Sequence, residues 1–158
     1  MTFSTSYYDV NQAVVVLEGT KIASVRTRAG LQGFKLGAEL GTTSYSYIKD
    51  VIKPSSQPAV YQQNAAAIQA LKNKQIDGLV VDLPTAFYVT AVQVPKSKIL
   101  GQFEVNGKVS DRFGVVLQKG NSLLGCVDKA ITTLRENGTL TKLQRQWLAK
   151  ATGAPILK

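Results

Sequence analysis

The stretch Ile76-Asp77-Gly78-Leu79-Val80-Val81-Asp82-Leu83-Pro84 constrains the fold more than any other part of the chain. Asp77-Gly78 forms a turn and launches an apolar run, Leu79 to Val81, that is too short and too β-branched for a helix. It reads as a strand buried on both faces, the kind found in parallel sheets. Pro84 suits the first turn of a helix. A strand passing directly into a helix is the repeating unit of an α/β sheet, and Asp82 falls at the carboxyl edge, where open α/β folds bind ligands. Two readings of Asp82 stand side by side: a ligand contact, or a cap for the helix that begins near Pro84.

A second strand-to-helix turn lies upstream. Phe34 to Leu40, ending in Glu39-Leu40, reads as a strand, and Gly41-Thr42-Thr43-Ser44 leads into a helix over 45–52. A glycine followed by hydroxyl residues leaves backbone N–H groups and hydroxyls converging on one spot at the positive end of a helix, which suits a carboxylate or a phosphate. Together with a lone carboxylate at the same edge, such a cradle matches a zwitterion, the charge pattern of an α-amino acid. The competing reading is helix capping by Thr42 or Thr43.

The rest of the chain continues the alternation. Strands are predicted at 13–17, 36–40, 59–61 and 79–82, with a short helix or loop at 22–30 and helices at 44–52, 62–74 and 84–92. That spacing predicts an α/β fold with a doubly wound, mostly parallel sheet. Past Pro95 the texture changes. Two strand-like runs, 99–105 and 113–118, flank the turn signal Asn106-Gly107. An amphipathic helix follows, carrying Leu123, Leu124, Val127, Ile131 and Leu134 on one face and ending at Asn137-Gly138 in a left-handed cap. A last helix from Thr141 to about Lys150 presents Leu143, Trp147 and Leu148. These two form a C-terminal helical hairpin, expected to pack on the same sheet.

Composition excludes much chemistry. With no histidine, His-dependent triads and the commonest metal ligand are absent. The one cysteine, Cys126, falls among apolar residues at helical spacing and is predicted to be buried and inert. Gly30-Leu31-Gln32-Gly33 precedes a strand instead of following one, so it is not a dinucleotide fingerprint. No catalytic residue, cofactor or metal is expected, and the chain is predicted not to be an enzyme. The net charge of +9 comes from scattered lysines and arginines without a stripe, so no nucleic-acid partner is expected. No apolar run approaches the ~20 residues of a membrane span. Residues 1–6 lack the regions of a signal peptide, which implies retention in the cytoplasm for the chain as written.

Taken in order, Phe3-Ser4 with Tyr7-Tyr8, Gly41-Thr42-Thr43-Ser44, Ile76-Asp77-Gly78 with Val81-Asp82, Phe113-Gly114 through Gly120-Asn121, Leu134-Arg135-Glu136-Asn137-Gly138-Thr139-Leu140 and Trp147 form a series. That series resembles the second half of a polar amino-acid-binding protein of bacterial ABC importers, the solute-binding family 3 type with the periplasmic-binding-protein type II fold. In that family the ligand is trapped between two α/β lobes joined by hinge strands.

The resemblance implies that 1–17 is a hinge strand entering lobe two, 18–98 lobe two, 99–118 the return hinge strands, and 119–158 the C-terminal helices that complete lobe one. Most of lobe one would be missing from this chain. Residue by residue, Asp82 resembles the carboxylate that holds the ligand ammonium, and Thr43, with Thr42 or Gly41, the turn that donates to its carboxylate. Glu39 falls where the family contacts the distal side chain, favouring a cationic or polar L-amino acid.

An ABC permease is the implied partner, with a periplasmic or cell-surface location. Half a clamp is expected to bind weakly. The uncovered helices are expected to fold back on the sheet or to pack against a second chain as a homodimer. A dehydratase-like enzyme of the same fold and a sensory ligand-binding module are the alternatives.

Overall fold

The computed structural model describes residues 1–103, 111–148 and 154–158. Two short crossing strands, β1 (Thr2–Phe3) and β2 (Tyr8–Val10), lead into β3 (Gln12–Leu17). Two turns of 3-10 helix follow at Lys21–Ser24 and Ala29–Leu31, then β4 (Leu36–Glu39). Helix α1 (Thr43–Tyr47) runs into a π-helical turn at Ile48–Ile52, closed by Lys53 in the left-handed region. β5 (Ala59–Tyr61), α2 (Asn64–Lys72) and β6 (Gly78–Asp82) come next. α3 (Leu83–Tyr88) then passes into a second π-helical turn, Val89–Gln93. β7 (Ser97–Phe103) completes the main sheet.

β8 (Asp111–Phe113) and β9 (Val116–Leu117) return through the crossing, followed by α4 (Leu124–Glu136) and α5 (Thr139–Leu143), the latter extended by a π-helical turn at Gln144–Leu148. The Asn106-Gly107 turn, the end of the 99–105 strand and the last turn of the final predicted helix lie outside the described residues. The predicted 113–118 strand divides at Gly114-Val115 into β8 and β9. A Cβ on Gly114 would stand 3.0 Å from the carbonyl oxygen of Ser4, so the crossing strands approach closely there.

The α/β class holds, with five strands in the order β5-β4-β6-β3-β7. β4 pairs parallel with β5 and β6, whereas β3 runs antiparallel to both β6 and β7. Direction explains the mixture. β3 leaves the crossing and runs away from it, while β4, β6 and β7 return toward it. The register Gln12↔Asp82 and Gln12↔Phe103 therefore brings the start of β3 and the ends of β6 and β7 to one edge.

Both faces of the sheet are buried, because side chains alternate along each strand. Ala13, Val15, Leu79 and Val81 point to one side, where they meet Ile68 and Leu71 of α2 and Ala86 of α3. Val14, Val16 and Val80 point to the other, where Tyr47, Ile48 and Ile52 join Ile22 and Phe103. The alanine-rich α2 fits because its small inner residues let it lie close against the strands.

The C-terminal helices depart from expectation. α4 and α5 do not bury their apolar faces on the sheet; Ile131 is their one buried residue among those described. They lie instead against the crossing strands. Asp128 Oδ1 accepts from the Thr5 amide at 2.6 Å, Gln144 Nε2 donates to the Tyr7 carbonyl at 3.3 Å, and the Arg135 guanidinium donates to the Ser6 carbonyl. Cys126 is exposed, correcting its predicted burial: the covered side of α4 carries Leu124, Val127 and Ile131, and Cys126 lies off that side. The left-handed stop at Asn137-Gly138 is present, with Gly138 at φ +77°. α5 starts two residues earlier than predicted: Gly138 is its N-cap residue, and Asn137 Oδ1 accepts from the Thr139 amide at 3.0 Å in an Asx turn that leads into the helix.

The tail returns to the sheet. Gln102 donates from its backbone to Pro155 and accepts from Leu157, and Leu157 is buried beside Leu100 and Phe103. Among the described residues no helix is long and apolar enough to cross a membrane.

Candidate functional site

The edge where β4 and β6 end is built by two turns. At the first, β4 stops at Glu39 and Gly41 takes φ +75°, a conformation open to glycine at little cost; a Cβ there would meet nothing, so torsion and not space requires it. Thr42 then caps α1: its Oγ1 accepts from the Tyr45 amide at 3.2 Å and donates to the Glu39 carbonyl at 2.7 Å. Capping is thus what Thr42 does. Thr43 and Ser44 open the helix with amides that have no intrahelical acceptor. Their hydroxyls turn inward, to a residue the sequence reading had passed over.

That residue is Gln12, 1% exposed at the first position of β3. Its Oε1 accepts from Ser44 Oγ at 2.6 Å. Its Nε2 donates to Asp82 Oδ1 at 2.8 Å and to Asp111 Oδ2 at 2.9 Å, and lies 3.4 Å from Thr43 Oγ1. Asp82 precedes α3 but makes no side-chain cap to it. The capping reading of Asp82 fails, and its carboxylate accepts from Gln12 instead. Burial pushes the Asp82 carboxyl above the ordinary carboxylate range. The Gln12 hydrogen bond pulls it back down, and the nearby Asp111 charge adds to the rise.

Of the residues singled out from sequence, Thr43 and Asp82 meet around one amide. Gly41 shapes the turn and Thr42 is spent on the cap. Glu39 stands apart: it is half-buried, and its Oε2 accepts from the Asn64 amide at 3.0 Å, holding the start of α2. Gln12 and Asp111 were missed. The available signal was a glutamine directly abutting the apolar run Ala13 to Val16. A polar side chain there is buried with its strand and must find partners. Among the described residues no cluster of His, Cys, Asp and Glu could hold a metal ion.

An apolar groove of about 380 Å³ adjoins this edge, running from Pro84 past Tyr8 and Phe113 to Leu143 and Trp147. Tyr8 and Phe113 pack there as a tilted pair, ring centres 5.9 Å apart.

Comparison with known proteins agrees with this architecture. The family described as bacterial extracellular solute-binding proteins, family 3, matches residues 1–150. The chain is 32% identical over 155 residues to the ABC transporter arginine-binding protein 1 of Escherichia coli (strain K12), covering 93% of this chain and 59% of that protein. It is 25% identical over 149 residues to the ABC transporter glutamine-binding protein GlnH of Bacillus subtilis (strain 168), covering 92% and 51%. A solved ancestral arginine-binding protein bound to arginine superposes with TM-score 0.67 at 30% identity, covering 92% of this chain and 63% of that one. The chain thus spans between 51% and 63% of the length of these relatives. The relatives are named as binding proteins, not as enzymes.

Proposed function

We propose that this chain, which belongs to the bacterial extracellular solute-binding proteins of family 3, carries one wall of an amino-acid-binding site. The observation that supports this most directly is the freedom left on Asp82 and Thr43. Asp82 gives Oδ1 to Gln12, and among the described residues Oδ2 is unclaimed. Gln12 Nε2 can only donate, so the hydroxyl hydrogen of Thr43 is not used by it. A half-buried carboxylate and a free hydroxyl donor, the latter at the N-terminus of α1, suit an ammonium and a carboxylate held side by side. In this reading Asp82 takes the α-ammonium, Thr43 with the turn at Gly41 takes the α-carboxylate, and the remaining oxygen of Glu39 meets a cationic or polar side chain.

The sheet domain is then lobe two of a two-lobed receptor that delivers its ligand to an ABC permease outside the cytoplasmic membrane. Each charge-assisted contact is worth about 1.5–3 kcal/mol when shielded from water. With only one wall, water screens the site and much of that gain is lost. Weak binding by the single chain follows, strengthened when a second surface, such as another copy, closes over the edge.

Amide NMR titration with arginine, glutamine and glutamate tests this. Arginine or glutamine is expected to move the Thr43 and Asp82 signals at millimolar concentrations, and Asp82→Ala to weaken that response by about tenfold or more. Ligand-induced shifts that bypass these residues, or that survive Asp82→Ala unchanged, would overturn the assignment.

A further inference from the structure

We propose that Gln12 is the positioning residue of this site: its one buried amide fixes Asp82 relative to the start of α1, through Ser44, and ties both to Asp111 on the returning strand β8. This rests on the reading of Asp82 and Thr43 as ligand contacts, and it adds a residue and a coupling that the reading does not contain.

The amide's orientation is determined by its neighbours. Carboxylates only accept hydrogen bonds, so the NH2 group must face Asp82 and Asp111, which leaves Oε1 for the Ser44 hydroxyl. The two N–H hydrogens are then both consumed, at 2.8 and 2.9 Å, and the 3.4 Å approach to Thr43 is a contact without a hydrogen. Four segments meet at this side chain: β3 itself, the start of α1, the end of β6 and the start of β8. Asp111 pairs with Val10 in the β2–β8 ladder, so the amide also reaches the crossing between the sheet and the C-terminal helices.

Two carboxylates served by one neutral amide repel each other, and the amide is what holds them at a set separation. Asp111 is also the ionisable group that acts on Asp82 through space. A cationic ligand group is therefore favoured on the Asp82 side of the site. Its charge is felt at Asp111 as well as at Asp82, which makes the crossing strands part of the site.

The test is a carbon-detected titration of the Asp82 carboxyl in the full chain, with Gln12→Met as the variant. Methionine keeps the volume and removes every hydrogen bond. The expected result is an Asp82 titration displaced to higher pH, because the hydrogen bond that favours its charged form is gone, with amino-acid affinity about tenfold weaker. A folded Gln12→Met whose Asp82 titration is unmoved overturns the proposal.

Should that variant not fold, Ser44→Ala frees the amide to rotate and is expected to displace the titration in the same direction by less; no displacement there overturns the proposal equally. Wild-type protein that binds no amino acid would defeat the receptor reading alone. The carboxyl titration would still decide the role of Gln12.

Discussion

The sheet domain and the C-terminal helices are built from similar residues and reach opposite outcomes. In the sheet, Val14, Val15, Val80 and Leu79 are wholly buried, because helices or turns cover both faces. Along α4, α5 and the turns that flank them the apolar stripe is as regular, yet Ile131 alone is buried among the described residues, Leu123 and Leu143 are exposed and Trp147 is 72% exposed. Amphipathic sequence commits a face to burial but does not supply the surface that buries it. The sheet domain carries its own covering. Among the described residues, Leu143 and Trp147 and the apolar groove from Tyr8 to Trp147 remain open.

The largest expected effect tests that contrast. Leu79→Ala in β6 removes a fully buried side chain and is expected to cost about 2–5 kcal/mol of unfolding free energy. Leu134→Ala, on the open face of α4, is expected to cost less than about 0.5 kcal/mol. Urea denaturation at two protein concentrations reads both. A Leu134→Ala loss approaching that of Leu79→Ala would erase the comparison. If that loss also grew with concentration, a second copy would be what covers the helices.

The same contrast marks what the sequence could disclose. Period-two burial in Val14 to Val16 and the stop of β6 at Asp82 depend on neighbours a few residues away, so they were legible. Strand direction was not, because alternation looks alike in β3 whether it runs with β6 or against it. The π-helical turns at Ile48–Ile52 and Val89–Gln93 change hydrogen-bond partners without changing which residues are apolar. Cys126 was misjudged because helical spacing shows that a stripe exists, not how much of its width is covered.

At the site, Asp82 and Thr43 stood at recognisable strand ends. Gln12 reaches Asp82 across 70 positions and Asp111 across 99, which no local pattern encodes. Thr42 and one oxygen of Glu39 also serve helix starts, a use that only the direction of a side chain discloses.

A middle-sized effect sharpens the boundary between the two regions. The tail at 154–158 crosses back from the helices and seals one end of β7, with Leu157 packed directly against Gly101. A Cβ on Gly101 would fall 2.6 Å from Leu157 Cγ and 2.7 Å from the Pro155 carbonyl oxygen, the latter being backbone that cannot swing aside. Gly101→Val is expected to expel the tail and cost about 1–3 kcal/mol. Deleting residues 154–158 should cost a similar amount, and combining the two should cost no more than the deletion alone, since both remove one contact. Additive losses would place the damage within the sheet and leave the tail irrelevant to it.

The smallest effect concerns Asp82 and carries a sign that separates binding from stability. Burial raises its folded-state pKa, outweighing the Gln12 hydrogen bond, and Asp111 pushes the same way. A raised carboxyl binds its proton more tightly in the folded chain than in the unfolded one. Its favourable contribution is therefore fully present below the unfolded value of about 3.9 and is lost as pH rises through the folded value. At neutral pH the ionised Asp82 makes the fold less stable than a neutral group would.

Asp82→Asn keeps an oxygen for Gln12 Nε2 and cannot ionise. The stability difference between the variant and the wild type should thus favour the variant at pH 7 and shrink toward acid, while ligand binding is lost. Paired denaturation curves from pH 4 to 8 measure that difference directly. A difference that is flat with pH would show the carboxylate to be as comfortable folded as unfolded. A site built to receive a cation would not leave its carboxylate so, because the ligand's charge is what its partly desolvated state awaits.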